Sequence, residues 1–90
     1  MTPILVTTKH GGVYAGLVPS TQDRNATTMA LKSARCAIYW ATKAGVAELA
    51  SVGPNDKSRI GAVANIEALH DITAVWTVTP EAWEAWCSHS

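Results

Sequence analysis

The chain has 90 residues, 48% of them hydrophobic and 16% charged, and its seven basic and seven acidic side chains balance to zero. That length makes one domain, and that apolar content excludes a disordered chain. A zero net charge excludes a general attraction to nucleic acid or to anionic membranes, and no apolar run reaches transmembrane length.

The first segment, residues 3–8, reads PILVTT and is expected as a short strand. Lys9-His10-Gly11-Gly12 is a turn, because paired glycines admit positive φ. Residues 13–18 resume as a strand and close a hairpin. Gly16 inside that strand predicts a bulge or a close backbone approach. Pro19 stops the ladder, and the polar residues 20–25 form a surface loop.

Residues 26–40, ATTMALKSARCAIYW, hold the longest apolar alternation in the chain. Thr27, Met29 and Leu31 point one way. Beyond Lys32-Ser33, Cys36, Ile38 and Trp40 share one face, expected as the core, with Arg35, Ala37 and Tyr39 opposite. The segment is therefore two strands joined at Lys32-Ser33, or one bent strand. Val46, Leu49 and Ala50 then recur at helical spacing, which predicts a short helix over 44–51, capped by Thr42 and ended by Gly53-Pro54.

Residues 55–58 are a charged loop. Residues 59–66, RIGAVANI, read as an irregular edge strand, and 67–71 as a connector. Residues 72–78, ITAVWTV, read as the last strand, with Ile72, Ala74, Trp76 and Val78 on one face. Thr79-Pro80-Glu81 is a helix start, with a threonine cap, proline at the first helical position and an acid in the first turn. Trp83 and Trp86 share one face of that helix. With four tryptophans and no phenylalanine, Trp40, Trp76, Trp83 and Trp86 are expected to supply most of the aromatic packing.

The expected fold is α+β: a single domain over 1–90, with a small, curled, mainly antiparallel sheet of five or six strands, barrel-like, and two short helices. A domain this small with this much apolar content is expected to form a homo-oligomer. Cys36 and Cys87 form no CxxC pair or framework, no signal peptide is recognised, and two reduced thiols in a cytosolic protein are expected.

The chain resembles a family of small tailed-bacteriophage proteins of unknown function. The resemblance rests on Gly12-Val13-Tyr14-Ala15-Gly16, on Leu31-Lys32-Ser33-Ala34-Arg35-Cys36-Ala37-Ile38-Tyr39-Trp40, on Leu49-Ala50-Ser51-Val52-Gly53, and on Arg59-Ile60. It resumes through 72–78 into the last helix, and so covers most of the chain from Gly11 onward. It implies a bacteriophage or prophage source and expression in the host bacterial cytoplasm. It implies no catalytic mechanism.

The candidate binding residues are Arg35, Tyr39, Trp40, Lys32 and Arg59. An arginine fork beside an aromatic ring can hold a phosphate and stack on a base, with Lys32 adding local charge. The competing account has Arg35 paired with Glu48 or Asp71 and Tyr39 simply packed. His70-Asp71 and Cys36 do not make a catalytic set, because a nucleophile needs an adjacent base held by a third group. His10, His70 and His89 lack metal-ligand spacing. No catalytic residue, metal or cofactor is expected.

The resulting expectation is a non-enzymatic phage accessory protein. It would inhibit a host antiviral defence by binding a host protein or by sequestering a cyclic or other small nucleotide. The alternatives are a virion or assembly component, or a small RNA- or single-strand-binding module. The last requires Lys32, Arg35 and Tyr39 to form one face.

Overall fold

The computed structural model describes residues 1–40 and 45–89. In chain order the strands and helices are β1 (Thr2–Thr8), β2 (Val13–Val18), β3 (Met29–Tyr39), α1 (Val46–Ser51), β4 (Arg59–Ile60), β5 (Ala64–Leu69), β6 (Ile72–Thr77) and α2 (Pro80–Ser88). The expected cap Thr42 and the first residue of the expected helix, Ala44, lie outside the described residues. No helix among the described residues is long and apolar enough to cross a membrane.

The strands form one six-stranded sheet in the order β4-β3-β2-β1-β6, with β5 also paired to β3. Every pairing is antiparallel. The α+β class and the antiparallel sheet agree with the sequence reading. The curled, barrel-like form does not: the sheet is open. No ladder among the described residues joins β6 to β4 or β5, and His70-Asp71 connects β5 to β6 only at a corner.

The physical reason is two-sided burial. A small barrel fills one interior, but this sheet packs apolar residues on both faces. Leu5, Val13, Ala15 and Ala37 meet Leu49, Ala82 and Trp86 of the helices on one face. Ile4, Val6, Val18, Met29, Leu31 and Ala34 gather in a second cluster with Ile72. The central strand β1 buries consecutive residues, Ile4, Leu5 and Val6, because it serves both clusters.

Bulges decide which residues reach which face. Ala15 pairs with Arg35 and Leu17 with Lys32, so Gly16 alone opposes Ser33 and Ala34. Ser33 sits at φ 51 and its N–H donates to Asn65 Oδ1 at 2.9 Å. A Cβ on Gly16 would lie 3.0 Å from Leu31 Cβ and 3.2 Å from Ala34 Cβ, so the close approach excludes a side chain. Residues 26–40 thus contain one bent strand, not two, and the face changes at Lys32-Ser33.

Three sequence expectations need correction here. Ala37, not Ile38, is the core residue of the far half of β3; Ile38 is 62% exposed. The helices cover the face that carries Arg35 and Ala37, and Ile38 follows Ala37 at a register shift, away from that cover. Residues 59–66 are not one strand but fall in the two strands β4 and β5, and Glu67, Ala68 and Leu69 belong to β5, not to a connector. Ile72 does not share a face with Trp76 and Val78, because a register shift at Thr7-Thr8 sends it to the other cluster.

The helices dock through their C-terminal carbonyls, which a helix cannot satisfy internally. At the end of α1, Glu48 O accepts from Val52 N–H and Gly53 N–H, and Leu49 O accepts from Trp86 Nε1 at 3.0 Å. Ala50 O and Ser51 O accept from the Thr79 N–H and hydroxyl. The same Thr79 hydroxyl accepts from Ala82 N–H at 3.0 Å and caps α2, as its sequence predicts. Trp86 is fully buried and Trp83 packs on the same cluster.

Candidate functional site

Arg35 leaves β3 on the helix face, opposite Cys36 as the alternation predicts. Its guanidinium is half-buried and engaged with backbone. Nε donates to Gly61 O at 2.7 Å, and Nη1 donates to Trp86 O at 2.8 Å and to His89 O at 2.7 Å. Those bonds use three of the five N–H groups of a guanidinium. Two of the acceptors are carbonyls at the C-terminal end of α2, the negative end of the helix dipole. No basic residue stands in the last turn of α2, so β3 supplies the cation. Among these bonds Arg35 pairs with neither Glu48 nor Asp71; it holds α2 and the Gly61 turn to β3.

The other four sequence candidates separate. Lys32 is exposed at the bulge, opposite Leu17. Seven residues further along β3, about 23 Å for an extended strand, comes Tyr39. Trp40 is half-buried and packs on the helix-face cluster. Tyr39 and Arg59 do come together: they are cross-strand partners between β3 and β4, and both are exposed. Directly opposite residues have Cβ atoms about 5 Å apart, so the ring and the guanidinium share one surface.

Two apolar residues extend that surface. Ile38 precedes Tyr39, and Val63 lies in the connection from β4 to β5. Gly61 N–H donates to Cys36 O at 2.8 Å, and Ala64 pairs with Ala34, so this connection runs beside β3. Ile38, Tyr39 and Val63 are 62%, 55% and 59% exposed. Isolated exposed apolar residues are ordinary, but Ile38 adjoins the Tyr39–Arg59 pair in sequence, and Val63 follows Arg59 by four residues on the segment that runs beside β3. The sequence reading missed Ile38 and Val63 because it placed the first in the core and the second inside a strand.

Among the described residues the remaining titratable groups do not converge on a reaction centre. His70 Nδ1 lies 3.3 Å from Thr28 Oγ1 at an exposed corner, where Asp71 turns at φ 58 and its carbonyl accepts from Lys9 N–H. Cys36 pairs opposite Tyr14 on β2. Burial pushes the Cys36 thiol pKa above its ordinary value, while a side-chain hydrogen bond with Tyr14 pulls it the other way. Among the described residues no group of three or more His, Cys, Asp or Glu could hold a metal ion.

Cavities open on the surface among the described residues. One, of about 420 Å³, is lined by Pro54, Asp56, Ala85, Ser88 and His89. His89 Nε2 lies 3.0 Å from Asn55 O beside it, and a carbonyl only accepts, so that nitrogen carries the proton. Another, of about 260 Å³, is a groove between residues 24–27 and residues 72–75 of β6.

Residues 1–86 match the family described as a domain of unknown function, DUF6948. The chain belongs to that family. No curated protein and no solved structure matches the chain. In this DUF6948 domain the exposed surface that stands out is the Tyr39–Arg59 pair with Ile38 beside it and Val63 further along the same segment.

Proposed function

We propose that this DUF6948 protein is a non-enzymatic bacteriophage accessory protein that works in the host bacterial cytoplasm. It blunts a host antiviral defence by covering a host protein. The phage and host setting comes from the sequence resemblance. The mode of action comes from the exposed surface at the β3–β4 end.

The observation that carries the reading is the placement of Tyr39 and Arg59 as exposed cross-strand partners, with exposed Ile38 next to Tyr39 and exposed Val63 further along the same segment as Arg59. Tyrosine and arginine dominate the energetics of protein interfaces when apolar neighbours exclude water around them. A surface of this make-up fits an apolar protein patch with a carboxylate for Arg59. The small-nucleotide alternative depends on Arg35 as a phosphate fork, and three of its donors are held by backbone carbonyls. The RNA alternative depends on Lys32, Arg35 and Tyr39 sharing a face. Arg35 lies under α2, and Lys32 stands about 23 Å from Tyr39 along β3.

The test is site-specific photocrosslinking in bacterial cells. A benzophenone side chain at Val63 should yield one discrete adduct with a host protein, and the same group at exposed Ala68 on β5 should not. Tyr39→Ala should weaken binding to the crosslinked protein by about 2 kcal/mol, with Arg59→Ala similar and Arg59→Lys intermediate. Equal labelling from Val63 and Ala68, or binding untouched by Tyr39→Ala, would overturn the reading.

A further inference from the structure

We propose that β6 pairs antiparallel with β6 of a second copy of this chain, across a two-fold axis at Val75. This surface is separate from the one at Tyr39 and Arg59: in the sheet order β4 and β6 are the two terminal strands.

β6 is a terminal strand, so alternate N–H and C=O groups face away from β1 unpaired by the sheet. Natural edge strands are protected by charge, by proline or by brevity. β6 reads ITAVWT, six residues with no charge, no proline and no glycine, and its one edge device is the bulge at Thr73 near its start. β5, which lies off the main strand order and pairs only with β3, carries Glu67 among its exposed residues. An edge of the β6 composition is suited to pair with a strand that fits it.

The fit to a second copy rests on length, shape and charge. Ile72 N–H already donates to Thr27 O at 3.0 Å, which closes the edge at that end. The open part is residues 73–77, bordered by the groove that residues 24–27 form with the strand. Beyond Thr77 the chain turns at Val78 and Thr79 into α2. A partner strand therefore also offers residues 73–77 and leaves the sheet where Thr27 stands.

Antiparallel pairing centred on Val75 places Val75 against Val75, Ala74 against Trp76 twice, and Thr73 against Thr77 twice. A small residue thus faces a large one, a β-branched residue faces its like, and hydroxyl residues meet at both ends. No like charges are set opposite each other, because the strand has none. Isologous contact of this kind closes after two copies, so it yields a dimer, not a fibre.

Thr73 and Thr77 are both exposed and outside the core; Thr73 Oγ1 is hydrogen-bonded to Thr7 at the β1–β6 bulge, so both double variants lose that bond equally and are compared with each other as well as with the parent. Sedimentation velocity in the micromolar range should show the parent as a dimer. Thr73→Lys/Thr77→Lys sets lysine opposite lysine at both ends and should weaken dimerisation at least tenfold. Thr73→Glu/Thr77→Lys sets glutamate opposite lysine at both ends and should restore it. Unchanged far-ultraviolet circular dichroism would verify that both variants are folded. A parent that sediments as a single copy at every concentration overturns the proposal. So does a folded lysine pair that dimerises like the parent, which would move the contact to another edge.

Discussion

Arg35 on β3 donates from Nη1 to the carbonyl of Trp86 at 2.8 Å, near the end of α2. With the further bonds to His89 O and Gly61 O, one side chain ties a strand, a helix end and a turn together. Removing it strands carbonyls that have no other cation in the last turn of the helix. Arg35→Ala should therefore cost about 2 kcal/mol of stability, seen as a lower urea midpoint at unchanged slope. Arg35→Lys should recover part of it, since an ammonium reaches fewer of these acceptors. A parent-like midpoint for Arg35→Ala would show the clamp to be idle.

Gly16 is held by space, not by its backbone angle. The alanine Cβ would sit 3.0 Å from Leu31 Cβ and 3.2 Å from Ala34 Cβ, where β3 bulges against β2. Gly16→Ala should cost about 1–3 kcal/mol by overpacking. Ala34→Gly in the same chain should relieve part of that cost, giving a non-additive pair in a double-mutant cycle. Simple additivity of the two losses would mean that the strain lies elsewhere.

Much of the fold is legible in the sequence where local chemistry decides. The hairpin at Gly11-Gly12, the close approach at Gly16, the face change at Lys32-Ser33 and the Thr79-Pro80 helix start all follow from residue types at fixed spacing. What is not legible comes from register and from which face the helices cover. Ile38 and Ile72 continue apolar alternations, yet the helices cover the other face of β3 at Ile38, and a shift against β1 moves Ile72 to the other cluster. A period of two cannot announce a bulge in a neighbouring strand. The candidate site was half legible for the same reason. Tyr39 and Arg59 were singled out separately, and only the short β3–β4 ladder makes them neighbours. The clamp had one readable sign: α2 ends without a basic residue, and β3 carries a lone arginine amid apolar neighbours.

Thr79 serves both helices through one hydroxyl. It accepts from Ala82 N–H at the start of α2 and donates to Ser51 O at the end of α1. Thr79→Ala should lose about 1–2 kcal/mol, the upper part of the range for a cap, because both bonds vanish. Thr79→Ser keeps the hydroxyl and should retain most of the stability. Equal losses in the two variants, measured by thermal unfolding, would assign the effect to the methyl group instead.

The two thiols should separate in a pH series. Cys87 is exposed, whereas Cys36 is half-buried opposite Tyr14. Burial raises the Cys36 pKa above the usual thiol range, with the Tyr14 hydrogen bond opposing that rise. The thiolate is the reacting species, so near neutral pH Cys36 should be alkylated by iodoacetamide more slowly than exposed Cys87, with its rate continuing to climb into alkaline pH. The same shift has a sign for stability. A folded pKa above the unfolded one means that the native state holds the proton more tightly. The contribution is then complete below the unfolded pKa and is lost as pH rises through the folded one. Cys36→Ser should flatten the alkaline fall in stability relative to the parent. Tyr14→Phe removes the hydrogen bond that favours the thiolate, and should slow Cys36 alkylation further. Faster alkylation in Tyr14→Phe would mean that the tyrosine acts as a cover over the sulfur, not as a donor to it. Mass spectrometry of partially alkylated protein, resolved by peptide, reads both rates in one experiment.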